Sequence, residues 1–241
     1  MSRTLVVGDI HGGLKALTQL FEEINVSTDD TLIFLGDYVD GWSDSAATVS
    51  FLIQLQTTHH CVFLRGNHDE LCYQWLAKGK NNPEWLKHGG QATLDGYSQL
   101  SDKEKQAHIS FYEAMHNYVV YDNCLFLHAG FTNIKGPEHE YFSKTFYWDR
   151  TLWEVALATS KDLDKEDRFY PKRLTLFKEI YIGHTPVSRI DETVPINAHC
   201  VWNIDTGAAF KGPLTILDIA TKEYWQSTPV WELYPDEKGR N

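Results

Sequence analysis

Eight side chains in this sequence are of types that bind metal ions or carry protons: Asp9, His11, Asp37, Asp40, Asn67, His68, His128 and His184. Carboxylates with imidazoles and one neutral amide oxygen suit hard to borderline divalent ions such as Mn²⁺, Fe²⁺ or Zn²⁺, whereas a soft-metal site would use thiolates. Taken singly, an aspartate or asparagine after a strand is more often a turn former or a helix cap. The ensemble outweighs that reading. GDxHG, GDxxDG, RGNHDE, HAG and GHT occur in this order, each at the end of an apolar run, and together they are far more specific than a lone glycine motif.

Such residues act only if the chain brings them together. Residues 4–7, 31–35 and 61–64 are β-branched or leucine-rich runs, and each leads through a glycine into a polar cluster. The clusters are Gly8-Asp9-Ile10-His11-Gly12, Gly36-Asp37-Tyr38-Val39-Asp40-Gly41 and Arg65-Gly66-Asn67-His68-Asp69. Continuously apolar strands alternating with helices imply a sheet covered on both faces, and ligands bind such sheets beyond the carboxyl ends of the strands. The three clusters are therefore expected to meet. Leu14, Leu17, Leu20, Phe21 and Ile24 recur at helical spacing, which marks them as core rather than site.

Residues 81–117 read as a helical insertion, opened by Asn81-Asn82-Pro83 and carrying a capping box at Ser101-Asp102-Lys103-Glu104. Residues 118–121 and 125–128, separated by Asp122-Asn123-Cys124, read as a hairpin. Further strands are expected at 180–183, 200–204, 214–219 and 223–226. Between them, residues 131–170 are irregular and rich in aromatics (Tyr141, Phe142, Phe146, Tyr147, Trp148, Trp153), as expected of a loop that covers a site. No Pro/Gly/Ser-rich linker, long repeat or low-complexity tract divides the chain, so residues 1–241 are expected to form one α/β (α+β) domain.

Composition narrows the function classes. With 22 Lys+Arg against 33 Asp+Glu the formal net charge is −11, which disfavours nucleic acid and anionic membranes as partners. No apolar run approaches the roughly 18 residues of a membrane span. Cys61, Cys72, Cys124 and Cys200 form no CxxC pair, and three of them lie in or beside apolar runs. Buried reduced thiols, and a cytoplasmic protein, are the expectation.

The motifs above, with Gly183-His184-Thr185-Pro186, Trp148-Asp149-Arg150 and Ile204-Asp205-Thr206-Gly207-Ala208, resemble the signature of the PPP-type metallophosphatases within the calcineurin-like metallophosphoesterase superfamily. The likeness is to the compact bacterial and bacteriophage branch and covers roughly residues 4–220. It implies a four-layer fold, two mixed β-sheets in a sandwich flanked by helices. It also implies that Asp9, His11 and Asp37 hold one divalent ion, that Asp37, Asn67, His128 and His184 hold a second, and that Asp37 bridges the two. Manganese comes first among the ions implied, with iron and zinc as alternatives. Two such ions, two aspartates and a bridging hydroxide leave a cluster of about +1, which attracts phosphate inside an acidic protein. The resemblance implies in-line attack of that hydroxide on phosphorus. His68, oriented and charged by Asp40, would protonate the leaving oxygen. Arg65 and Arg150 are the candidates for gripping phosphoryl oxygens by forked, charge-assisted hydrogen bonds.

One position departs from the family. Where relatives carry Arg-Gly after Gly-Asp-x-x-Asp, this chain has Gly41-Trp42, so one phosphate-gripping arginine is missing. The function implied first is a phosphomonoester hydrolase acting on phosphoserine, phosphothreonine or phosphotyrosine in proteins. The missing arginine weighs against that specificity in particular. The alternative keeps the chemistry and changes the substrate to dinucleoside polyphosphates, cleaved symmetrically. A non-catalytic scaffold of the same fold would be marked by missing ligands or a missing acid, and here all of those positions are filled.

Overall fold

The computed structural model describes residues 2–241. The three apolar runs form parallel strands β1 (Thr4–Val7), β2 (Thr31–Phe34) and β3 (His60–Phe63), with Val6 opposite Ile33 and Ile33 opposite Val62. Parallel strands require crossovers, which α1 (Leu14–Glu23) and α2 (Ser45–Leu55) supply, and α3 (Asn67–Lys78) follows β3. Next come the short helix α4 (Pro83–Trp85), a wide turn at Leu86–Gly90, α5 (Gln91–Tyr97) and α6 (Asp102–Ala114). Ser101 caps α6 by accepting from Glu104 N–H, and Glu104 accepts in return from Ser101 N–H at 2.8 Å.

A hairpin follows, β4 (Tyr118–Tyr121) and β5 (Cys124–Leu127), with Tyr118 opposite Leu127. Its turn is the two residues Asp122 and Asn123, both at positive φ (49° and 58°), which matches the strand twist and leaves Cys124 inside β5. Short helices α7 (Thr145–Trp148) and α8 (Thr151–Ala158) precede β6 (Glu179–Ile182), β7 (Ile196–Ala198), β8 (Val201–Asn203), β9 (Thr215–Asp218), β10 (Tyr224–Gln226) and α9 (Val230–Leu233).

The strands make two mixed five-stranded sheets, ordered β10-β9-β1-β2-β3 and β4-β5-β6-β8-β7. Side-chain alternation assigns the layers. Val6, Ile33 and Leu217 of the first sheet meet Cys124, Phe126 and Tyr181 of the second in a core between the sheets. The intervening positions face outward: Leu5, Val7, Leu32 and Phe34 pack against the helices of the first half, and Leu125, Leu127, Ile180 and Ile182 pack against Phe146, Leu152 and Trp153. The order is helix, sheet, sheet, helix, the metallophosphoesterase arrangement that the motifs imply. Among the described residues no helix is long and apolar enough to cross a membrane.

One expectation is corrected and one strand is additional. Residues 131–170 are not mainly a covering loop: Phe146, Tyr147 and Trp153 are buried against the second sheet, and only Trp148 and Arg150 of this stretch reach the cleft described below. Tyr141 and Phe142 pack on one another and are exposed. Strand β7, with three residues and an asparagine at its centre, was not anticipated; it pairs antiparallel with β8 at the sheet edge.

Candidate metal centre

The three polar clusters meet beyond the carboxyl ends of β1, β2 and β3. Their turns are tight and are tied to one another by backbone bonds: Ile10 and His11 N–H both donate to the Asp37 carbonyl, at 3.0 and 2.8 Å. His11, Asp37, Asp40 and His184 all hold positive φ, between 53° and 73°, a conformation that costs L-residues energy and concentrates at functional sites. Gly66 allows the third turn to approach the second. A Cβ there would stand 2.1 Å from Asp37 Oδ1.

Asp37 lies at the centre. Asp9, His11 and Asp37 form one group of candidate ligands and Asp37, His128 and His184 another; within each group the ligand atoms lie within 4.8 Å of one another. All five residues are buried. His11 Nε2 is 3.5 Å from Asp37 Oδ2, and His128 Nε2 is 3.4 Å from the same oxygen. The other ring nitrogens are engaged by backbone: His11 Nδ1 lies 2.8 Å from the Asp40 carbonyl, and His128 Nδ1 lies 2.9 Å from the Leu35 carbonyl. That bond fixes each tautomer and leaves Nε2 free to bind an ion. Asn67 Oδ1 completes the second group, 3.2 Å from His128 Nε2 and 2.8 Å from His184 Nδ1.

Charge at the site fits two cations. Burial and the neighbouring Asp205 push the Asp9 carboxyl well up, so its anion is under-compensated by the protein alone. Asp205, itself pushed up to about 6 by burial and by Asp37, is a further buried carboxyl whose charge a cation would relieve. Burial opposes ionisation of Asp37 too, but His128 and His68 outweigh it and hold that carboxyl well below the usual range. Burial keeps His11 and His184 neutral, the form that coordinates metals. His128 is the exception: against burial, Asp37 and Asp9 raise its imidazole to about 10, a proton that a cation bound between these carboxylates would displace. A buried donor set of carboxylates, imidazoles and one amide oxygen, sharing a central carboxylate, fits a pair of divalent ions.

Beside this cluster, His68 Nδ1 lies 2.6 Å from Asp40 Oδ2, with both side chains buried. The residues that hold Asp40 come from the helical stretch 81–117, where the sequence offered no site signal. Trp85 donates its indole N–H to Asp40 Oδ2, and Thr93 donates its hydroxyl to Asp40 Oδ1 at 2.6 Å. Asp69, the last residue of the third cluster, ties two of the turns together. It accepts from the backbone N–H of Asp37 (2.7 Å), Tyr38 (2.9 Å) and Gly66 (2.9 Å), which joins the second turn to the third.

A cleft of about 440 Å³ opens over Asp37, Asn67, His68 and His184. Arg150, Arg189 and Arg240 line it, together with the aromatic side chains of Trp148 and Phe210. The Trp148 indole stands 6.2 Å from the His184 ring, edge to face. Arg150 is placed by Asp149, whose carboxylate accepts from Thr151 and Leu152 N–H at the start of α8. Arg150 Nε is buried without a hydrogen-bond partner. Arg65, expected at the phosphate, is turned away: its guanidinium pairs with Glu70 and donates to the Tyr112 carbonyl, and it does not line the cleft. The turn after Gly66 that brings Asn67 inward sends the preceding side chain toward α6.

A family model described as calcineurin-like phosphoesterase matches residues 2–204. The chain is similar to a protein named bis(5'-nucleosyl)-tetraphosphatase PrpE [asymmetrical] from Oceanobacillus iheyensis, 28% identical over 240 residues that cover 91% of this chain and 89% of the relative. It is 27% identical to the protein of the same name from Geobacillus over 87% of each chain. Among solved structures, one described as a diadenosine tetraphosphatase aligns with a TM-score of 0.63 at 16% identity, covering 93% of this chain and 92% of that one. A protein serine/threonine phosphatase from Saccharomyces cerevisiae aligns with a TM-score of 0.62 at 15% identity, over 94% of this chain and 80% of that one. At these identities the structural matches speak for the fold.

Proposed function

The chain belongs to the calcineurin-like phosphoesterase family, a family of divalent-metal-dependent hydrolases, and from that premise we propose that it hydrolyses dinucleoside polyphosphates asymmetrically. The cleft carries this reading: a buried cluster for divalent ions adjoins three arginines and the aromatic rings of Trp85, Trp148 and Phe210 in one concave surface. Several guanidiniums suit a chain of phosphates better than a single phosphoryl group. The exposed Trp148 ring offers a stacking face for a nucleobase. The names of the PrpE relatives favour the same substrate class over phosphoproteins, and asymmetric over symmetric cleavage.

Asp9, His11 and Asp37 would hold one ion, and Asp37, Asn67, His128 and His184 the other. Bound there, divalent ions would neutralise phosphoryl charge and make water nucleophilic near neutral pH, with manganese the first choice and iron or zinc the others. The chain's own residues supply the rest. Arg150 holds phosphoryl oxygens through its fork, relieving the orphaned Nε. His68, with Nδ1 on Asp40, presents Nε2 as the acid for the departing oxygen. Trp85 and Thr93 keep Asp40 on that imidazole, and the buried surroundings exclude competing water from the pair.

Incubating the Mn²⁺-loaded protein with diadenosine tetraphosphate and separating the products by chromatography tests this reading. ATP and AMP in equal amounts are expected. Two ADP would mean symmetric cleavage, and turnover of a phosphoserine peptide with the dinucleotide untouched would overturn the substrate assignment.

A further inference from the structure

Gly41 occupies the position where the family motif carries arginine, and the space beside it is filled from elsewhere in the chain. A Cβ on Gly41 would stand 3.6 Å from Cγ of Arg240, and a Cβ on Gly89 would stand 3.1 Å from the same carbon. The stem of Arg240 thus runs between two glycines, one from the second metal-ligand turn and one from the helical stretch.

The residue after Gly41 explains how Arg240 arrives. Trp42 is fully buried and donates its indole N–H to the Ala208 carbonyl at 2.7 Å. Tyr234 stacks on it with ring centroids 5.4 Å apart and donates its hydroxyl to Asp44 at 2.6 Å. Glu237 accepts from the Ser43 N–H (2.8 Å) and hydroxyl (2.6 Å). Gly239, at φ +59°, lies on the indole so closely that a Cβ would come within 2.7 Å of the ring, and Arg240 N–H donates to the Ala209 carbonyl at 2.9 Å. Segment 234–240 is therefore fastened to residues 42–44.

The guanidinium end rests on a ring and has no ion-pair partner among the described residues. Arg240 forms no ion pair among the described residues, its Nε is buried without a hydrogen-bond acceptor, and its Cζ rests 5.3 Å from the Phe210 ring. It lines the cleft with Asp37, Asn67 and His68, and shares it with Arg150 and Arg189. The Phe210 ring supports its face, but its N–H donors and the two like charges beside it are left for an anion in the cleft to satisfy.

We propose that Arg240 is a phosphate ligand of the cleft, supplying from segment 234–240 the guanidinium that position 41 lacks. The proposal rests on the cleft being a phosphoester site, as argued above. It accounts for Gly41 and Trp42 together: the glycine leaves room for the incoming stem, and the tryptophan is the platform that fixes its register.

The test compares Arg240→Met, which keeps the apolar stem and removes the fork, with Arg240→Lys and the unaltered protein, all loaded with Mn²⁺. Calorimetric binding of inorganic phosphate, KM and kcat for p-nitrophenyl phosphate, and the melting temperature are measured for each. For Arg240→Met, phosphate Kd and KM are expected to rise about 10-fold or more, with the melting temperature little changed. Arg240→Lys is expected to recover part of the affinity. Wild-type phosphate affinity in Arg240→Met would overturn the proposal, as would a loss that follows the melting temperature in both variants. Inorganic phosphate as the probe keeps this outcome separate from the choice of substrate, which fails independently if diadenosine tetraphosphate is not cleaved.

Discussion

Trp85 donates its indole N–H to Asp40 Oδ2, the oxygen that also takes Nδ1 of His68. Two donors on one carboxylate oxygen leave the imidazole a single orientation, with Nε2 turned to the cleft. If that orientation serves proton delivery, Trp85→Phe should lower kcat about 10-fold for an alkyl phosphate, whose leaving group needs a proton, and much less for p-nitrophenyl phosphate. Comparing kcat for the two substrates in the variant checks this. Equal losses would assign Trp85 to packing alone.

Asp69 ties together the backbones of the turns that carry Asp37 and Asn67. Replacing it by Asn puts an amide N–H₂ against at least one of three backbone donors, at a cost of about 3 kcal/mol. A drop of roughly 6–12 °C in melting temperature is expected, together with weaker Mn²⁺ binding by calorimetry. A variant with the wild-type melting temperature and full metal content would show that the turns are held by other bonds.

Gly41 has φ +136°, and a Cβ there would stand 3.1 Å from the His11 carbonyl oxygen. Gly41→Ala should therefore destabilise the protein by about 1–2 kcal/mol, read as a lower urea midpoint. Restoring the family's arginine by Gly41→Arg meets the same strain and the Arg240 stem besides. An unchanged midpoint for the alanine variant would mean that this turn tolerates a side chain.

His108 gives stability a pH dependence away from the metal cluster. Buried, with Nε2 2.9 Å from Ser50 Oγ and Nδ1 2.9 Å from the Tyr97 hydroxyl, its imidazole is pushed down to about 4 by burial. The unfolded chain takes up that proton near 6.5, and the folded chain only near 4, so acid favours unfolding across this interval. The contribution is complete above pH 6.5 and is lost as the pH falls toward 4, by at most roughly 3 kcal/mol. Melting curves of the wild type and His108→Gln over that range should converge in acid, and parallel curves would contradict the assignment.

The gathering of the candidate ligands was legible because they stand after apolar runs that mark strands. Asp9, Asp37 and Asn67 follow β1, β2 and β3, and a parallel sheet brings such positions to one edge. Trp85, Thr93 and Arg240 were not legible. Trp85 reaches Asp40 across 45 residues and Thr93 across 53, and no local pattern encodes a contact at that separation. Arg65 was misplaced for a related reason: its neighbours in sequence are site residues, but its guanidinium bonds to the carbonyl of Tyr112, 47 residues away. In the aromatic stretch 131–170 composition was visible and direction was not, so core residues such as Phe146 and Trp153 read as cover.

Asp37 is the one carboxylate shared by both candidate ion sites, and metal stoichiometry by native mass spectrometry tests that sharing most directly. Protein stripped with EDTA and reloaded with Mn²⁺ is expected to carry two ions, with phosphatase activity returning as they bind. Asp37→Asn should lose both, because the charge it removes lies in both ligand groups. One ion retained at wild-type affinity in Asp37→Asn, or full activity in the stripped wild type, would contradict the account.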